Sequence, residues 1–228
     1  MSVPIIIPTY NPPNSFASFI AVLVRKKITP IIIMNDGCDS TYTPIFALFK
    51  KTKNITVCTH QKNMGKGQAM KTALRLIRKK FPSALGAVFA DADGQHTPKD
   101  IRTIQRLLVA NQTKIIIGKR ALISMPLKNK LGNVLSSLAI RVFFHTNITD
   151  TQSGLRGVPK QFFDQLIHIQ GNRYDYETGM LLWAVKLHIP IHEYSIQTIY
   201  TPYRSSHYRP VMDTLRIIRT LLRGVDTK

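Results

Sequence analysis

Asp91 and Asp93 stand one residue apart where an apolar run, Ala87 to Ala90, stops, and Gly94 follows them. The run predicts a strand, and the glycine permits a sharp backbone turn beyond it. Two carboxylates leaving a strand end together are hard oxygen donors. They suit Mg²⁺ or Mn²⁺, which takes a few protein carboxylates and completes its shell with water and substrate phosphates. Gln95, or His96 if the ion is Mn²⁺, offers a further ligand from the same turn. The competing reading is a solvated acidic turn built on Asp93-Gly94. With only 12 Asp and Glu in the chain, and Asp36 ending another apolar run, the metal reading gains weight. A metal and a diphosphate would balance both these carboxylates and the lysines around them.

Such residues need elements to hold them. Short apolar runs alternate with longer helical patterns through the first half, which predicts strand-helix-strand units and a largely parallel sheet. The strands are expected at Val3–Ile7, Ile31–Met34, Ile55–Thr59, Ala87–Ala90 and Ile115–Ile117, with helices over Ser15–Lys27, Thr41–Lys51, Gln68–Lys80 and Lys99–Ala110. Ligands of such α/β sheets gather beyond the carboxyl ends of the strands. There the sequence places Pro8-Thr9-Tyr10-Asn11, Asn35-Asp36-Gly37, Asn63-Met64-Gly65-Lys66-Gly67 and Asp91-Ala92-Asp93-Gly94-Gln95-His96. The second half is less regular, with helices expected near Lys130–Phe144, Lys160–Leu166 and Glu177–Leu187 and a strand at Ser195–Tyr200.

At 228 residues, 44% hydrophobic and 19% charged, the chain suits one globular domain. Its net charge of +20 predicts attraction to phosphate, whether in nucleotides, nucleic acid or anionic lipid. Cys38 and Cys58 lack metal-ligand spacing and read as reduced thiols. Val3 to Ile7 runs into Pro8 without a targeting signal, so a cytoplasmic location is expected. Leu131 to Phe144 is too short and too interrupted to span a bilayer. From Val211 onward, Val211, Leu215, Ile218 and Leu222 form one helical stripe and Arg209, Arg216 and Arg223 another. A helix of that kind can lie in the headgroup layer of an anionic membrane, on its inner face, or pack on its own domain.

The ordered set Pro8-Thr9-Tyr10-Asn11, Asn35-Asp36-Gly37-Cys38, Asn63-x-Gly65-x-Gly67-x-Ala69, Asp91-Ala92-Asp93-Gly94-Gln95-His96 and Asp150-Thr151-Gln152-Ser153-Gly154-Leu155-Arg156 resembles the inverting glycosyltransferases of family 2. Within that family it is most similar to dolichyl- and polyprenyl-phosphate sugar synthases. The resemblance implies a GT-A-type, Rossmann-like α/β fold, with a mixed, mainly parallel sheet and helices on both faces. It implies a nucleotide-sugar-binding half over 1–118, an acceptor half over 119–210 and the amphipathic helix over 211–228. Pro8, Tyr10 and Asp36 would then meet the base and ribose. Thr9, Asn11, Gly37, Asn63, Gly65, Lys66 and Ala92 complete the donor-contacting set, and Asp91, Asp93 and Gln95 would hold the ion. Arg120 resembles an arginine that meets an anionic acceptor or the diphosphate, and Tyr174-Asp175-Tyr176-Glu177 a segment near the acceptor. Ser206-His207-Tyr208-Arg209-Pro210 resembles a segment closing over the donor phosphates. Asn35 and Cys38 depart from the usual Asp-Asp-Gly-Ser, and the Gln-x-x-Arg-Trp signature of processive synthases is absent, so single-sugar transfer is expected.

The chemistry bounds the acceptor. His207 and Arg209 join Asp91 and Asp93 as groups able to stabilise a leaving diphosphate. A hydroxyl acceptor needs a general base, for which Asp150, Asp175 and Glu177 are candidates. A phosphomonoester, already ionised at neutral pH, needs cations instead, and Arg120, Lys128, Lys130 and Arg156 are available. Polyprenyl phosphate or another lipid-linked or glycan acceptor is the expected partner. Two rival classes remain: a nucleic-acid-binding protein, for which +20 is the only support and no motif appears, and a nucleotidyltransferase releasing pyrophosphate.

Overall fold

The computed structural model describes residues 2–121 and 148–199. In chain order these form β1 (Ile5–Thr9), α1 (Phe16–Arg25), β2 (Ile31–Asn35), α2 (Thr43–Lys50), β3 (Ile55–Thr59), α3 (Lys66–Lys80), β4 (Gly86–Phe89), α4 (Pro98–Ala110) and β5 (Ile115–Arg120). After the interval come β6 (Arg156–Pro159), α5 (Phe163–His168), α6 (Asp175–Lys186) and β7 (Ile191–Ile196), with 3₁₀ turns at Ser40–Tyr42 and Lys160–Phe162. One seven-stranded sheet runs in the order β3-β2-β1-β4-β6-β5-β7. Only β6 is antiparallel to its neighbours, β4 and β5.

The period of two along a strand explains the two-sided core. Ile5 and Ile7 of β1 join Phe16, Ile20 and Leu23 of α1 on one face, while Ile6 joins Ala69, Met70 and Ala73 of α3 on the other. Burial on both faces is why β1 and β2 read as unbroken isoleucine runs. α3 ends on Arg78, Lys79 and Lys80, cations set against the negative end of the helix dipole. α4 starts at a Thr97 cap whose side chain accepts from the Asp100 N–H, with Pro98 in its first turn.

Several expected boundaries shift. β1 begins at Ile5 and continues through Pro8 and Thr9, paired with Met34 and Asn35. β5 continues to Arg120, so the expected division at residue 118 falls inside a strand. The last strand is Ile191–Ile196, not Ser195–Tyr200, because pairing with Ile115–Arg120 of β5 sets its start. Lys160–Leu166 divides into a 3₁₀ turn and α5. β6 was not expected at all: its four residues contain a glycine and a proline. The helices expected over Lys130–Phe144 and from Val211, with Lys128, His207 and Arg209, lie outside the described residues.

Candidate active site

Asp91 lies just past β4, and Lys66, the first residue of α3, reaches it: Nζ is 2.7 Å from Asp91 Oδ1. The same ammonium donates to both oxygens of Glu177 on α6, at 2.9 and 3.1 Å. It also lies 5.7 Å from the centre of the Tyr174 ring. Three elements from distant parts of the chain therefore meet at one cation. Burial alone would raise the Asp91 carboxyl, but Lys66 and then His96 outweigh it and hold it far below the usual carboxylate range. Burial likewise works against the Lys66 ammonium, and Asp91 and Glu177 overcome it, holding Lys66 above the ordinary lysine range. Asp93 goes the other way: burial and the Asp91 charge raise its pKa. Its Oδ1 accepts from the Gln95 N–H at 3.0 Å, which closes the turn. The turn is backed by the 197–199 segment: Ile199 N donates to Gln95 O, His96 bridges to Thr198, and Gln197 N donates to Asp100.

Asp36 is 2% exposed, and both its oxygens are engaged. Oδ1 accepts from the Met64 N–H and meets His60 Nδ1 at 2.7 Å, and Oδ2 accepts from the Gly65 N–H. The carboxylate thus shapes the 63–65 loop that delivers Lys66 to Asp91. Gly65 has φ +99°, a conformation that favours glycine, and Asn172 O would lie 2.4 Å from any Cβ placed there. Asn35 Oδ1 accepts from the Cys38 N–H, and Cys38 Sγ accepts from the Asn11 N–H. Asn11 and Asp39 exchange a reciprocal pair of bonds that closes the β1 and β2 ends together.

At the β5 end, Arg120 binds Asp150 through two side-chain bonds of 2.8 Å and one from its own N–H. Glu193 of β7 holds the other side, accepting from the N–H groups of Thr149 and Asp150 and from the Thr149 hydroxyl. Arg156 is fully buried and, among the described residues, donates to main-chain oxygens of Ser153, Thr151 and Glu177 and toward Met180 sulfur. It ties the 151–153 loop to α6.

The family model for glycosyl transferase family 2 matches residues 5–195. The chain belongs to that family. A UDP-N-acetylglucosamine–dolichyl-phosphate N-acetylglucosaminyltransferase of Methanococcus voltae is 30% identical over 240 residues, covering 96% of this chain and 94% of the relative. Glucosyl-3-phosphoglycerate synthase from Mycobacterium tuberculosis, solved with Mn²⁺, UDP and glucosyl-3-phosphoglycerate, superposes with TM-score 0.70 at 17% identity, over 97% of this chain and 79% of that one. TarS 1–349 of S. aureus, solved with UDP-GlcNAc, gives TM-score 0.60 at 15% identity, over 97% and 65%. These two likenesses show the fold, a GT-A-type mixed, mainly parallel sheet. The protein is a glycosyltransferase that uses a nucleotide sugar, which decides against the nucleotidyltransferase reading.

In this family 2 glycosyltransferase, the expected residues fall into groups. Pro8, Tyr10, Asn11, Gly37, Lys66, Ala92 and Asp93 lie partly exposed at the carboxyl ends of β1, β2 and β4 and the start of α3. Thr9 is buried with its hydroxyl donating to Ile7 O, and Asn63 Oδ1 is buried with no hydrogen-bond partner among the described residues. Asp175, the first residue of α6, accepts from the Arg173 N–H just ahead of that helix. Arg156, expected among cations for an anionic acceptor, is a buried main-chain clamp. Sequence reasoning passed over Glu193 and the Lys66–Glu177 contact, which no spacing signals.

Among the described residues no group of three or more His, Cys, Asp or Glu side chains is arranged to hold a metal ion. The donor chemistry nevertheless fits Mg²⁺ or Mn²⁺, which needs only one or two carboxylates when substrate phosphates supply the rest. Asp91 stays ionised, and Asp93 is raised partly by its charge, the repulsion a bound cation relieves. No helix among the described residues is long and apolar enough to cross a membrane.

Proposed function

We propose that this glycosyltransferase moves one sugar from a UDP- or GDP-linked donor to a polyprenyl or dolichyl phosphate, with inversion, at a membrane surface. The observation that carries the acceptor is the state of two of the three candidate bases, Asp150 and Glu177, the third, Asp175, being partly exposed at the start of α6. Asp150 is locked by Arg120 and Glu177 by Lys66, so neither offers a free carboxylate to take a proton from a hydroxyl. A phosphate acceptor needs no such base. The dolichyl-phosphate specificity of the 30% identical relative supports the same reading and favours UDP-N-acetylglucosamine over the GDP-mannose or UDP-glucose types.

In the proposed reaction Asp91 and Asp93, with Gln95, would hold the divalent ion, whose charge stabilises the leaving nucleoside diphosphate. Lys66 keeps Asp91 ionised and presents an ammonium at the positive end of α3, where a donor phosphate is welcome. Pro8, Tyr10 and Asn11, partly exposed at the carboxyl end of β1, would meet the base and ribose. Asp36 acts one step back, through the 63–65 loop.

Transfer of radiolabelled sugar from UDP-GlcNAc, UDP-glucose and GDP-mannose to polyprenyl phosphate, with free polyprenol as control, tests the reading. Product with the phosphate alone, dependent on Mn²⁺ or Mg²⁺, is expected. Asp93→Ala should lose the metal-dependent turnover while melting within a few degrees of the parent. Equal transfer to free polyprenol, or full activity in that variant, sinks the proposal.

A further inference from the structure

Lys66 holds two seats at once. Its ammonium is 2.7 Å from Asp91 Oδ1 and 2.9 and 3.1 Å from the two Glu177 oxygens. The Glu177 seat is rigid: the helix turn carrying it is fixed by Arg156 Nη1 donating to Glu177 O and by the Tyr176 hydroxyl donating to Leu166 O at 3.0 Å. The Asp91 seat is crowded, because Gly154 packs so closely that a Cβ there would lie 2.2 Å from Asp91 Oδ2. His96 Nε2 is 3.4 Å from that same oxygen.

A divalent ion on Asp91 would put two positive centres against one carboxylate. Lysine carries a compact, strongly hydrated charge on a flexible stem with three donors. It can therefore leave Asp91 and keep its place on Glu177.

Resting on the metal reading above, we propose that Lys66 is the resident counter-cation of Asp91, that it competes with the divalent ion for that carboxylate, and that Glu177 is the seat that receives the displaced ammonium. The protein then takes up metal weakly by itself. A donor diphosphate, by giving both cations an anionic partner, couples metal and nucleotide binding, and such coupling is reciprocal.

Titration of Mn²⁺ into the full chain without nucleotide, read by the EPR signal of free Mn²⁺, tests this. Asp91→Asn should abolish the site. Lys66→Met should tighten Mn²⁺ binding by roughly tenfold, the scale of removing one adjacent like charge in a partly hydrated site. Glu177→Gln should shift it the other way, by a few-fold, because Lys66 is left with Asp91 alone. Unchanged or weaker binding in a folded Lys66→Met, with Asp91→Asn still inactive toward Mn²⁺, overturns the competition and leaves the metal site standing. If Lys66→Met does not fold, Glu177→Gln decides: weaker binding supports the proposal, and unchanged or tighter binding overturns it. Mn²⁺ binding retained in Asp91→Asn removes the metal reading itself.

Discussion

A methyl group has no room at Gly154. An added Cβ would sit 2.2 Å from Asp91 Oδ2 and 2.6 Å from its Cγ, and the opposite side of that carboxylate is held by Lys66. Relief must come from moving Asp91, the 153–155 loop, or both. Misplacing a reacting group by about 1 Å costs on the order of a hundredfold in rate. Gly154→Ala is accordingly expected to lower kcat about a hundredfold, with a melting temperature only a few degrees below the parent. An unaffected rate would show that Asp91 has slack. The paired Asp91 and Asp93 were legible as a candidate site because carboxylates at a strand end have few other uses in so basic a chain. The contact between Asp91 and Lys66 was not, since 25 residues separate them in sequence and they meet only because α3 packs on β1 and β2 while β4 pairs with β1. Asp36 shows a second limit. Its type and position after β2 pointed to a ligand, while its burial and the N–H groups of Met64 and Gly65 make it an organiser of the neighbouring loop.

Elements carry the alignment of those residues, and one close approach is between α3 and the start of α6. A Cβ on Gly67 would lie 2.5 Å from Tyr176 Cβ and 2.9 Å from the Asn172 carbonyl carbon. Lys71, one turn on, pins the same loop by donating to Gly171 O at 2.8 Å and to Asn172 Oδ1 at 3.3 Å. Overpacking at such a contact costs about 1–3 kcal/mol. Gly67→Ala should lose that much stability in urea unfolding, together with activity, because the shift separates Lys66 from Glu177. Loss of neither would mean that the two helices slide freely. Most of the sheet was readable from its isoleucine runs, since strands buried on both faces have nothing else to be. β6 was not: Arg-Gly-Val-Pro carries no alternation, and it is a strand only because β4 and β5 need a partner between them. β7 was misplaced for a related reason. Among its residues only Ile196 is buried, so its pairing with β5 rather than its composition sets its limits.

For the whole molecule, the distribution of charge goes beyond the net figure. Of the 12 acidic residues, Asp36, Asp100, Asp150 and Glu177 are buried. Lys26, Lys27, Lys50, Lys51, Lys53, Lys62, Lys79 and Lys80, in contrast, all lie exposed. The surface is therefore cationic to a degree that a mixed count of side chains understates. Each basic residue near an anionic bilayer contributes about 1 kcal/mol, and the attraction decays over a Debye length of about 8–10 Å at 0.1–0.15 M salt. The full chain should co-sediment with vesicles containing phosphatidylglycerol at 0.1 M salt, and not with phosphatidylcholine vesicles. At 1 M salt, where screening shortens that length to about 3 Å, binding should fall away if charge is its source. Binding that survives 1 M salt would instead require apolar insertion, which salt does not weaken. Indifference to lipid charge at 0.1 M would remove the surface field as the means of approach and leave the lipid-linked acceptor to be met in solution or through another protein.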